Sequence, residues 1–170
     1  MFGRDGVFSD RLLMAARDKR WICGDYVVHD AAVQPASIDL RLGDVAYRLR
    51  CSFLPVDEPV EEKLAALTDA ELDLRHDDGA VLESGRPYLI PLREELALPT
   101  GVRARTNPKS STGRLDVFCR VITDANPHFD DIADGYTGRL WLEVVPLSFS
   151  VKVRSGLSLN QIRLAVGDPH

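Results

Sequence analysis

From Ser9 to Arg20 the apolar residues Leu12, Leu13 and Ala16 recur at helical spacing. Ser9 stands where an N-cap belongs, and Arg17, Lys19 and Arg20 gather at the end that a helix dipole makes negative, so the pattern predicts a helix over Asp10 to Arg20. Beyond Trp21 the period drops to two. Short β-type runs separated by turn residues occur at Tyr26 to Val28, Ser37 to Leu42, Val45 to Leu49, Pro87 to Leu92, Gly101 to Thr106, Leu115 to Thr123, Gly138 to Pro146, Phe149 to Val153 and Leu159 to Val166. In Ser37 to Leu42 the alternation of Ile38, Leu40 and Leu42 directs one face inward. One stretch interrupts this texture. Between Asp57 and Asp78, Glu61 to Leu67 return to helical spacing and Thr68 offers a second cap, which predicts a helical insertion on the surface. Many short strands with frequent turns imply a mainly β domain, an antiparallel sandwich or barrel, and not a βαβ sheet.

Length and charge narrow the picture. The chain has 170 residues, 45% of them hydrophobic, enough for one full core and too few for two ordinary domains, so a single domain over 1–170 is expected. A formal net charge of −5 argues against gripping a nucleic acid polymer by charge, while leaving room for a local phosphate site. No apolar run is long enough to span a bilayer, and the first residues lack the order of a secretory signal; no membrane and a cytoplasmic location are expected. Cys23, Cys51 and Cys119 are an odd number without a C-x-x-C pair, which indicates neither a disulfide framework nor a cysteine zinc site.

Three segments carry chemistry. Asn107 to Arg114 packs the hydroxyls of Ser110, Ser111 and Thr112, the cations Lys109 and Arg114 and the flexible Gly113 between two strands, which reads either as a phosphate cradle or as a polar turn. It lacks the order of a P-loop. Glu143 lies in the otherwise apolar run Leu140 to Val145, where its carboxylate faces a partly dry site suited to a general acid/base, or else is exposed or paired with an arginine. Asp124 to Asp131 holds His128, Asp130 and Asp131, which are metal-ligand types in an acidic loop; the incidental-loop reading is preferred, so no metal residue is assigned.

Read in order, Gln34 to Gly43, Leu96 to Pro99, Lys109-Ser110-Ser111-Thr112-Gly113-Arg114, Asp134-Gly135-Tyr136-Thr137-Gly138, Leu142-Glu143 and Asn160-Gln161-Ile162 resemble the dCTP deaminase and dUTPase superfamily. The S-I-D-L-R-L-G and S-S-x-x-R segments, with Glu in the strand after D-G-Y-x-G, look more like the deaminase branch. The resemblance implies a distorted jelly-roll or β-barrel of the dUTPase-like type, a homotrimer with nucleotide sites between subunits, magnesium carried by the triphosphate, and no zinc. It implies dCTP as substrate and dUTP as product, with dTTP as an inhibitor. By position Glu143 looks like the general acid/base, and Ser110 and Arg114 like residues that place the attacking water. Lys109, Ser111, Asp124, Ala125, Trp141 and Gln161 look like substrate contacts. Lys109 departs from the more usual Arg, and the stretch from Thr123 to Gly135 is longer than in short members. No Tyr- and Lys-containing tail follows the Gln161 strand, so the sequence resembles the N-terminal half of a fused, pseudo-trimeric deaminase. The alternatives are a dUTP pyrophosphatase and a non-catalytic nucleotide-binding half.

Overall fold

A computed structural model describes residues 6–24 and 27–167. Its first antiparallel sheet is ordered β1 (Gly6–Val7), β13 (Asn160–Val166), β8 (Val102–Pro108), β10 (Asp131–Ile132), with β3 (Ile38–Leu40) also paired to β13. The second is ordered β5 (Thr68–Asp73), β4 (Val45–Leu49), β7 (Tyr88–Ala97), β11 (Thr137–Pro146), β9 (Val117–Ile122), with β2 (Ile22–Cys23) on β7. β6 (Ala80–Leu82) and β12 (Val151–Val153) form a two-stranded ribbon. Inward residues of both sheets meet in one core, Ile38, Leu40, Ile162 and Leu164 from the first and Ile90, Leu140, Leu142 and Val144 from the second.

The segment from Ser37 to Gly43 shows how alternation becomes structure. Ile38, Leu40 and Leu42 are fully buried, while each polar residue between them has its own partner. Ser37 Oγ donates to Gln161 Oε1 (3.1 Å), and the Asp39 carboxylate accepts from Lys109 Nζ (2.5 Å). Arg41 gives its backbone N–H and Nε to the two oxygens of Glu94, at 2.7 and 2.6 Å. Gly43 ends the run because β7 passes too close for a side chain: its N–H donates to Pro91 O (2.8 Å), and a Cβ there would stand 2.5 Å from that oxygen.

The elements differ from the sequence expectation in definable places. Helix α1 is Asp10–Asp18 and buries Leu13 and Ala16, but Leu12 is exposed and Ser9 makes no side-chain cap. Tyr26 lies outside the described residues, and Val27 and Val28 are not in a strand. The predicted surface insertion needs correction. Helix α2 (Val60–Leu67) buries Val60 and Leu64, and Thr68 closes that helix, its Oγ1 donating to Leu64 O (2.7 Å). The chain then continues directly into β5, a strand paired with β4 along Val45 to Leu49. Pairing with a neighbouring strand outweighs the helix-forming composition of Ala70-Glu71-Leu72. Among the described residues no helix is long and apolar enough to cross a membrane. Burial pushes the Cys119 thiol up to about 12, which suits a core residue with no thiolate chemistry.

Candidate functional site

Alternation along β11 divides its side chains between two environments. Leu140, Leu142 and Val144 enter the main core, whereas Trp141 and Glu143 point to the other face of the sheet. There a smaller cluster of Leu49, Leu89, Ile122 and Trp141 is roofed by Val60 and Leu64 of α2. Trp141, expected as a substrate contact, is 3% exposed and belongs to this packing.

Glu143 is fully buried beside that cluster. A carboxylate in such a place needs partners, and both of its hydrogen bonds go to one oxygen: Arg120 Nε donates to Oε1 at 3.0 Å and Ser52 Oγ at 3.2 Å. Oε2 is buried with no hydrogen bond. Arg120 is the cross-strand partner of Glu143 in the β9–β11 register, and its guanidinium lies 3.5 Å from the centroid of the Phe129 ring and 5.2 Å from that of Phe118. Sequence reasoning singles out neither Arg120 nor Ser52. The signal for Arg120 is the pairing of two apolar runs that each carry one charge; Ser52 has none.

The phosphate-cradle segment is helical where a turn was expected. Lys109 is the N-cap of α3 (Ser110–Arg114), a single turn in which Thr112 is buried and its Oγ1 donates to Leu159 O (2.8 Å). The side chains of Ser110, Ser111 and Arg114 are exposed and, among the described residues, have no hydrogen-bond or ion-pair partner. Lys109, expected at a phosphate, is paired with Asp39, whose other oxygen, Oδ1, is buried without a hydrogen bond. Gln161 stands in a cross-sheet row between Asp39 and Asn107 and accepts from Ser37. So Lys109, Ser110, Ser111, Arg114 and Gln161 are brought to one area, at the meeting of β3, β8 and β13 with α3.

Glu143 stands on the other sheet. No hydrogen bond joins it to α3, and β9 runs about 10 Å from Val117, just past α3, to Arg120 opposite Glu143. Asp124, expected as a substrate contact, accepts the N–H of Val60 at the start of α2 (2.8 Å). Ala125 is exposed with φ 49°. In the acidic loop Asp130 Oδ1 accepts from Thr106 Oγ1 (2.7 Å) and Val121 N (2.8 Å), and burial raises its pKa despite those bonds. The loop is thereby tied to β8 and β9. Downstream, Tyr136 donates to Arg139 O (2.7 Å), and burial pushes its hydroxyl up to about 12.

Two antiparallel sheets closed over one core, a hydroxyl-rich turn carrying Lys109 and Arg114, and a carboxylate enclosed on an inner strand define a dUTPase-like domain. The chain belongs to the family described as the 2'-deoxycytidine 5'-triphosphate deaminase (DCD) N-terminal domain, whose model matches residues 4–168. It is 31% identical over 159 residues to a dCTP deaminase of Metallosphaera sedula, covering 88% of this chain and 78% of that protein. It is 33% identical over 135 residues to a "dCTP deaminase, dUMP-forming" of Beutenbergia cavernae, covering 78% and 66%. Among solved structures, 2'-deoxycytidine 5'-triphosphate deaminase from Agrobacterium tumefaciens superposes with a TM-score of 0.91 at 47% identity, covering 96% of this chain and 48% of that one. The chain thus spans about half the length of that neighbour.

Proposed function

We propose that this chain is a deaminase domain acting on dCTP, with dUTP and ammonia as products. The observation that carries the reading is Glu143: a fully buried carboxylate on an apolar strand whose Oε2 has no partner. Such an oxygen is placed to exchange protons in a water-poor site. In the proposed reaction a water oxygen bonds to C4 of cytosine and its two protons pass through Glu143. One goes to the ring nitrogen N3 and one to the amino group, the C4–N bond breaks, and ammonia leaves a C4 carbonyl behind. Ser110 and Arg114 serve the phosphate and water side, with exposed hydroxyl and guanidinium donors, and Ser111 adds a further donor.

Lys109 Nζ is paired with Asp39 and still partly exposed, and an ammonium has further N–H donors with which to meet a phosphate. Magnesium would be carried by the triphosphate, which needs no all-protein cage; Asp39 Oδ1, an orphaned acceptor beside the cradle, would be the side-chain oxygen nearest to hold it. Magnesium supplies charge neutralisation of the phosphates. The reading includes a site shared between copies, as in a homotrimer or a pseudo-trimer of fused halves, and a chain that covers 48% of its Agrobacterium tumefaciens neighbour fits the second. Exposed Leu115, Phe118, Leu147 and Phe149 around the ends of β9 and β11 supply apolar surface for that association.

The products test the reading. Purified protein with dCTP and magnesium is expected to release ammonia and form dUTP without pyrophosphate. Ammonia together with pyrophosphate would make the product dUMP, as in the names of several relatives. Pyrophosphate from dUTP with no ammonia from dCTP would replace the deaminase reading by a pyrophosphatase. Nucleotide binding with neither product would leave a non-catalytic half.

A further inference from the structure

We infer that Arg120 is the positioning residue of the Glu143 carboxylate, holding Oε1 together with Ser52 so that Oε2 alone is presented for proton exchange. The inference rests on the deaminase reading for its chemistry but on geometry for its substance. A buried carboxylate with two equivalent free oxygens could turn about its last torsion and offer a proton in either of two directions. Here the two oxygens are not equivalent. Oε1 accepts from Arg120 Nε at 3.0 Å and from Ser52 Oγ at 3.2 Å, and Oε2 accepts from nothing. A buried acceptor left unpaired is costly, and a fold that keeps one calls for a reason.

Arg120 is itself held. Its backbone is fixed opposite Glu143 by the strand register, and its guanidinium is stacked over Phe129 at 3.5 Å with Phe118 at 5.2 Å. A planar cation on an aromatic face keeps its orientation in a way an ammonium on a flexible stem does not. Phe129 in turn sits beside Asp130, which is tied to Thr106 and Val121. The longer loop between Thr123 and Gly135 therefore reaches the carboxylate through Phe129 and Arg120. Only Nε is spent on Glu143, which fixes direction without the two-pronged grip that would occupy both oxygens.

The test compares wild type, Arg120→Ala and Arg120→Lys for ammonia release from dCTP, dCTP binding, and the ¹³Cδ resonance of Glu143. Arg120→Ala is expected to lower kcat about 100-fold and to change the dCTP Kd by no more than about threefold, because a misplaced proton acceptor slows chemistry without removing phosphate contacts. Added guanidinium chloride, below denaturing concentration, should restore about tenfold of the loss, and Arg120→Lys should lie between. In Arg120→Ala the Glu143 resonance should shift and return with guanidinium. An unchanged or raised kcat, or a loss that neither guanidinium nor Lys recovers, would overturn the positioning role. If wild type releases no ammonia, the deaminase reading fails by itself. The resonance then decides the positioning claim: a shift that guanidinium reverses supports it, and an unmoved resonance overturns it.

Discussion

Glu143→Gln is expected to lower ammonia release from dCTP by about 1,000-fold or more, within the range that loss of a general acid/base produces. The substitution is chosen to spare the fold. Gln keeps an oxygen that accepts from Arg120 and Ser52, and it fills the same volume beside Trp141 and Ile122. It removes the charge and the oxygen that takes a proton. Binding of dCTP should stay within about threefold of wild type, since the phosphate donors of α3 are untouched. A variant that binds dCTP and keeps its turnover would show that the enclosed carboxylate is structural and that the Arg120 pair is an ordinary buried ion pair.

The largest effect on stability is expected at Glu94. Its side chain is 1% exposed, and its two oxygens receive the backbone N–H and Nε of Arg41, which is itself mostly buried. Glu94→Ala leaves an arginine and a backbone donor unmatched between the sheets. Removing one partner of a buried pair costs about 3–5 kcal/mol, which for a domain of this size lowers Tm by roughly 10 °C. Glu94→Gln keeps one acceptor and should cost less than half as much. Thermal unfolding of both variants checks this, and a fall of under about 1 kcal/mol for the alanine would contradict it. The Arg41 of the S-I-D-L-R-L-G segment is then a fold residue and not a substrate contact.

Much of the architecture was legible because it rests on period-two alternation. Ile38, Leu40 and Leu42 point inward as the pattern requires, and the long runs of β7, β11 and β13 were visible as strands. β5 was hidden because Ala70, Glu71 and Leu72 are helix formers, and only the pairing with β4 overrides them. α3 was hidden for the opposite reason. Ser110-Ser111-Thr112-Gly113 is poor helix sequence, and the turn is held by tertiary bonds from Lys109 N and Thr112 Oγ1 to Leu159 O. Glu143 stood out as one charge in an apolar run. Its partners did not, since Arg120 depends on cross-strand register and Ser52 lies 91 residues away in sequence. Lys109 reads from the sequence as a phosphate contact, and its pairing with Asp39, 70 residues distant, can be seen only in three dimensions.

The most direct measurement is a crystal structure of the Glu143→Gln protein with dCTP and magnesium, in whatever assembly it forms. The triphosphate is expected on Ser110, Ser111 and Arg114, with C4 of cytosine against the side chain at position 143 of the same or an adjoining copy. A triphosphate bound away from α3, or a cytosine that does not reach position 143, would contradict a deaminase site formed by Glu143 and α3.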